Sequence, residues 1–213
     1  MTDGGRGVGV LGSAFNPPHV GHLALAQEAH ARLGLAEVLL VPTGRAPHKQ
    51  IEDDPGPDVR LEMTRHAVAG DERLGVSELE TSRDELSFSY RTLELLREQR
   101  PEEELVFVMG ADAAAGLESW RSPERILELA RLGIAEREGV ERAEVEAVLG
   151  RLGGAGRAEF LEMPHIEVSS TMVRERVGAG RPIRYLVPDP VVELIAERGL
   201  YAVGERERGL QEA

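Results

Sequence analysis

The sequence predicts an α/β protein with a doubly wound, mostly parallel sheet and helices on both faces. Three observations carry this. Short apolar runs alternate with segments of helical spacing along nearly the whole chain. The strongest runs, Glu37–Pro42 (EVLLVP) and 105–109 (LVFVM), are almost continuously apolar, as strands buried on both faces are. The first run, 8–11, passes through a Gly/Pro-rich turn straight into a helix, the order of a first strand-helix unit.

Each element follows in order. Residues 8–11 read as the first strand and Val20–Leu33 as the first helix. Glu37–Pro42 is a buried strand, and the Gly-, Pro- and Asp-rich stretch 43–57 is a long loop. Helical spacing covers 58–69, with Asp58 as its N-cap. Residues 74–79 form a weak strand. A helix over 87–97 opens on hydroxyls and runs into Leu93, Leu95 and Leu96. The central strand, 105–109, ends in Gly110-Ala111-Asp112, and helices follow over 113–117 and 123–130. Alternation asks for a strand over 131–138, although that stretch is poorly apolar. A helix over 142–152, a strand over 159–163 and helices over 169–177 and 190–198 complete the series. The expected organisation is one domain over 1–204 and a charged, frayed tail over 205–213. In such a Rossmann-like sheet, ligands sit at the carboxyl ends of the strands. The 12–22 turn, the loop carrying Lys49, and Asp112 all follow predicted strands.

Composition narrows the function. The 213 residues carry a net charge of −13, which argues against a general nucleic-acid or anionic-membrane binder. A local basic pocket for a small anion remains compatible with it. The sequence has no run of 18 apolar residues, and residues 1–9 lack a signal-peptide core, so a cytoplasmic protein is expected. Zero Cys excludes disulfides and thiol catalysis. Of the 25 basic residues only Lys49 is a lysine, and it stands in the loop sequence GRAPHK. A compact charge on a flexible stem suits a phosphate that must be reached.

Two segments read as anion sites. Residues 12–22 (GSAFNPPHVGH) bring a tight turn and two histidines to a helix start, where backbone N–H groups and the helix dipole favour negative charge. His19 and His22, three residues apart, add imidazole donors to the same spot. Capping or zinc binding are the plainer readings of this pair. Zinc needs further ligands, and the remaining histidines (His30, His48, His66, His165) are scattered. The second segment, 168–174 (VSSTMVR), starts a helix with Ser169, Ser170 and Thr171 and places Arg174 one turn after Ser170. An Arg fork there can clamp a phosphate, and two such helix starts facing one triphosphate would cradle it.

With these motifs in place the chain resembles the nucleotidylyltransferases with an N-terminal His-x-Gly-His motif. Within them it is similar to the bacterial nicotinate-nucleotide adenylyltransferases. Six stretches carry the likeness: 12–22, 45–49, 87–96, 110–120, 168–174, and 185–191 followed by 199–201. The resemblance implies adenylyl transfer from ATP to nicotinate mononucleotide, with release of pyrophosphate. It gives catalytic roles to His19, His22, Lys49 and Arg174, and ATP contacts to Gly12, Ser13, Phe15, Ser169, Ser170 and Thr171. Ser89, Asp112 and Trp120 would hold the mononucleotide, with Trp120, the only tryptophan, stacked on the pyridine ring. Mg²⁺ would ride on the ATP phosphates rather than in a protein metal site. Nucleic acid and membrane are not expected partners; a homo-oligomer is compatible with the resemblance. The chain departs from the family pattern at Asn16 (usually Asp), Phe88 (usually Tyr) and Arg91 (an acidic or neutral polar residue). It also departs at Glu136-Arg137-Glu138, in place of an apolar strand end with an Arg-Pro pair.

Overall fold

A computed structural model describes residues 7–47 and 51–202. Lys49 and the 205–213 tail therefore lie outside the described residues. Six strands form one sheet: β1 (Gly7–Ser13), β2 (Glu37–Pro42), β3 (Leu74–Val76), β4 (Glu104–Gly110), β5 (Arg131–Ala135) and β6 (Ala158–Leu161). All pairings are parallel, in the spatial order β3-β2-β1-β4-β5-β6. The helices are α1 (Val20–Leu33), α2 (Pro57–Val68), α3 (Ser89–Gln99), α4 (Ala111–Ala115), α5 (Pro123–Leu129), α6 (Arg142–Arg151), α7 (Ser170–Gly178) and α8 (Asp189–Glu197).

The period-2 geometry of a strand sends alternate residues to opposite faces. Val8, Val10, Leu39, Val41, Leu105, Phe107 and Met109 join residues of α3 to α6 in one buried cluster. Leu11, Val38, Leu40, Val106 and Val108 join residues of α1 in another. The sheet is thus covered on both faces, which explains the continuously apolar runs of β2 and β4. A third cluster packs Met63 and Ala67 of α2 against Val173 of α7, Ile183, Val187 and Leu194 of α8. Among the described residues no helix is long and apolar enough to cross a membrane.

Several boundaries differ from expectation, each for a local reason. Gly56 caps α2, not Asp58: Pro57 takes the first helical position, where its missing N–H costs nothing, and Asp58 falls in the first turn. α3 starts two residues late because the Ser87 hydroxyl accepts from the backbone N–H groups of Gly44 and Arg45 instead of entering a helix. The 113–117 helix begins earlier, at Ala111, and its end is a separate 3₁₀ turn, Leu117–Ser119. The weak strand at 74–79 stops at Val76. The strand expected over 131–138 stops at Ala135, leaving Glu136, Arg137 and Glu138 in the loop beyond the sheet.

Candidate active site

The 12–22 turn stands at the C-terminal end of β1, whose neighbours are β2 and β4. Phe15 is fully buried with φ +50°, a left-handed conformation that costs a non-glycine residue energy and recurs at functional sites. Its ring meets His22 edge-on, with centroids 4.9 Å apart. The Asn16–Pro17 peptide is cis. His19 then caps α1, and its ring lies against that of His22 at 3.7 Å between centroids. A Cβ on Gly21 would press within 3.1 Å of the His19 ring, so glycine at this position keeps the imidazole seated.

The backbone N–H of His19 donates to His22 Nδ1 at 3.2 Å, so that nitrogen carries no proton. Burial pulls the His22 pKa well below its ordinary 6.5, with His19 and Arg137 adding to the effect. The ring is therefore neutral at pH 7, and its single proton sits on Nε2, 3.3 Å from Ser13 Oγ. Burial, then Arg137, lowers the His19 pKa to about 4. Its buried Nδ1 has no hydrogen-bond partner among the described residues, which leaves one polar atom of the site unsatisfied.

α7 meets this turn from the other side. Ser169 is the N-cap, its hydroxyl accepting from Met172 N–H at 3.1 Å. Ser170 Oγ donates to the carbonyl of Pro17 at 2.8 Å, joining the two helix starts directly. Arg174, buried, donates from Nη1 to the Asn16 carbonyl at 3.1 Å. Its remaining donors reach Asp53 and Glu52, both at 3.3 Å, and Thr171 Oγ1 at 3.5 Å. The fork expected to clamp a phosphate thus faces two carboxylates of the chain itself. One backbone donor of the helix start is also occupied, since Val20 N–H donates to the Leu186 carbonyl.

Asn16 takes a structural part. Its Nδ2 donates to the Glu52 carbonyl, and its Oδ1 accepts from the Tyr201 hydroxyl, both at 2.7 Å. Arg91 and Phe88, the other departures, lie on α3 and at its cap. Arg91 pairs with Glu94 at 3.2 Å, and the Phe88 ring stacks on Tyr90 at 6.0 Å.

On the β4 side, Asp112 is exposed in the first turn of α4, with Arg137 Nε 3.7 Å from its carboxylate. A Cβ on Gly110 would stand 3.1 Å from that Nε. Trp120 packs edge-on to Phe107, centroids 6.2 Å apart, and the missing side chain of Gly12 leaves space over the same phenyl ring. Ser89 occupies the first position of α3.

The structure therefore gathers Ser13, Phe15, His19, His22, Ser169, Ser170, Thr171 and Arg174 into one cluster. Among the described residues no hydrogen bond, ion pair or ring contact ties Ser89 or Trp120 to it. Two residues escape the motif reading. In the sequence Arg137 stands only in a changed strand end, yet it pairs with Asp112 and bears on both histidines. Arg60, in the first turn of α2, reaches the backbone of the 12–22 turn. A charge in helical register with Met63, Thr64 and Ala67, at i+3, i+4 and i+7, is the signal available for it.

Comparison with known proteins adds to this geometry. Residues 10–176 match the cytidylyltransferase-like family model. A protein of Rubrobacter xylanophilus named "probable nicotinate-nucleotide adenylyltransferase" is 38% identical over 95% of both chains. A protein of the same name from Tropheryma whipplei is 40% identical over 90% of this chain and 97% of its own. One from a Roseiflexus species is 41% identical over 91% and 97%. In fold, the chain resembles Plasmodium falciparum nicotinic acid mononucleotide adenylyltransferase complexed with NaAD. That match has a TM-score of 0.76 at 17% identity, covering 92% of this chain and 97% of that one.

Proposed function

The chain belongs to the cytidylyltransferase-like family, among its nicotinate-nucleotide adenylyltransferases, and from that membership we propose how its residues perform the reaction. It transfers the adenylyl group of ATP to nicotinate mononucleotide, forming nicotinate adenine dinucleotide and pyrophosphate in NAD biosynthesis. A phosphate oxygen of the mononucleotide attacks the α-phosphorus of ATP, and the bond from that phosphorus to pyrophosphate breaks. The attacking oxygen is already anionic, so no general base is required. Catalysis consists of alignment and neutralisation of developing charge.

The observation that carries this reading is the joining of the 12–22 turn to α7 through Ser170 and Pro17 and through Arg174 and Asn16. It puts two imidazoles and a guanidinium around one spot at the end of β1. His22 offers Nε2–H to a phosphate oxygen, and the ring of His19, whose Nδ1 is unsatisfied, lies against the His22 ring. Gly12, Ser13 and Phe15 shape the turn, while Thr171 and Arg174 face the triphosphate from α7. Lys49, outside the described residues, is assigned to the same phosphates on the family resemblance alone. Asp112 and Trp120, with Ser89, receive the mononucleotide. Mg²⁺ bound together with ATP would supply further neutralisation of the leaving pyrophosphate. Among the described residues no group of three His, Cys, Asp or Glu stands placed to hold an ion. A cytoplasmic setting accompanies this reading.

Pyrophosphate release with ATP and Mg²⁺ tests it, with nicotinate mononucleotide, nicotinamide mononucleotide and phosphopantetheine compared as acceptors. Strong preference for the first is expected. His22→Ala should lower kcat by about 100-fold or more with an unchanged circular dichroism spectrum. Wild-type turnover in that variant would remove His22 from the mechanism.

A further inference from the structure

We propose that Arg60 is a positioning residue for this reaction, locking the C-terminal ends of β1 and β2 into one rigid floor beneath the two substrates; this rests on the function given above. Arg60 is wholly buried in α2. Its Nε donates to Asp54 at 2.8 Å. Nη1 donates to the carbonyls of Ala14, at 3.0 Å, and Thr43, and Nη2 to that of Gly44 at 3.1 Å. Ala14 lies just past the end of β1, and Thr43 and Gly44 lie just past the end of β2.

Stability alone does not account for this arrangement. A buried cation is costly to desolvate; Asp54, the carboxylate ion-paired with it among the described residues, is 30% exposed, and the Glu80 carboxylate attracts it only from beyond hydrogen-bond reach. An apolar side chain at this place in α2 would extend the stripe of Met63 and Ala67 without that cost. The guanidinium instead supplies donors in a fixed plane, which suits carbonyls arriving from different strands.

The acceptors connect to both halves of the site. Ala14 sits between Ser13, beside His22 Nε2, and Phe15, against the His22 ring. Gly44 and Arg45 donate to the hydroxyl of Ser87, whose own N–H returns to the Arg45 carbonyl, two residues before Ser89. A side chain on Gly44 would collide with the Glu80 backbone, so this junction has no slack. Arg60 thus couples the turn assigned to ATP with the start of α3 assigned to the mononucleotide. In-line transfer depends on their mutual alignment, and a displacement of about 1 Å costs on the order of 100-fold in rate.

Arg60→Met and Arg60→Lys test the assignment by steady-state kinetics, with folding followed by circular dichroism and thermal melting. Assays run well below each variant's Tm. Arg60→Met is expected to lose about 10- to 100-fold in kcat, with KM for each substrate within about 3-fold of wild type. Arg60→Lys keeps the charge but not the planar fork, and should recover Tm more fully than kcat. Folded variants with lowered Tm and wild-type kcat would make Arg60 structural only and overturn the proposal. If Arg60→Met does not fold, Asp54→Asn decides. It loosens the exposed end of the fork, and a kcat drop of about 3-fold or more at near-native Tm is expected, whereas unchanged kcat overturns the assignment. Wild-type enzyme silent with every acceptor refutes the functional reading instead.

Discussion

His19 and His22 meet the proposed anion site as neutral rings. Burial first, and Arg137 second, bring the His19 pKa to about 4, and His22 is shifted in the same direction. A neutral imidazole keeps one N–H donor without repelling the neighbouring guanidinium, and for His22 the backbone fixes which nitrogen bears it. The same neutrality makes stability depend on pH. An unfolded histidine takes up its proton near pH 6.5, whereas folded His19 resists until about 4. Between those values the unfolded chain binds more protons. The contribution of His19 is therefore complete above about pH 6.5 and falls as the solution is acidified, reaching a loss of about 3 kcal/mol near its folded pKa. Urea midpoints measured from pH 7.5 to 4.5 should show this decline, and His19→Gln should flatten part of it. An identical decline in the variant would place the acid sensitivity on other groups.

At the scale of elements, the segment before α2 competes with the proposed ATP phosphates for the guanidinium that α7 carries. Glu52 and Asp53 lie on Arg174, where ATP phosphates are proposed to bind, and Asn16 holds the Glu52 carbonyl in place. Both carboxylates are largely exposed and weakly held, so a triphosphate with more charge should displace them. The Glu52→Gln/Asp53→Asn variant is expected to lower KM for ATP by about 3-fold or more with kcat little changed. A raised KM would mean that the two carboxylates hold Arg174 ready for ATP. These elements also show what local sequence conveys. β2, β4 and α1 were legible because period and apolarity act over neighbouring residues, and the Ser169 cap because capping is local. The early stop of β5 was not legible, since strand length there is set by its pairing with β4 and β6. Nor were the partners of Arg60 and Arg174, which lie in segments far away in sequence and meet only after the sheet forms. The Asp58 cap failed through a local rival, Pro57, better suited to the first helical position.

For the whole molecule, strand order decides which end of the sheet can bind. β1 lies between β2 and β4, so the crossover helices leave β1 in opposite directions and open a crevice at its C-terminal end. The 12–22 turn, Gly110 and the start of α7 border that crevice. The opposite end also has a polar depression, lined by Arg97, Glu103, Glu104, Leu129, Arg131 and Arg157. There, however, Arg97 is spent on the carbonyls of Glu103 and Leu129, and Arg131 on Glu104. With a net charge of −13, anionic substrates gain only where cations or donors lack internal partners or can exchange them. Hydrogen exchange with ATP or nicotinate adenine dinucleotide should therefore slow at 12–22, 110–112 and 168–174 and stay unchanged at 102–105 and 128–131. At ligand concentrations about 100 times Kd, global stability should rise by about 2.7 kcal/mol. Protection confined to the 102–105 and 128–131 depression would move the nucleotide site to the wrong end of the sheet, and with it every role assigned to the histidine turn.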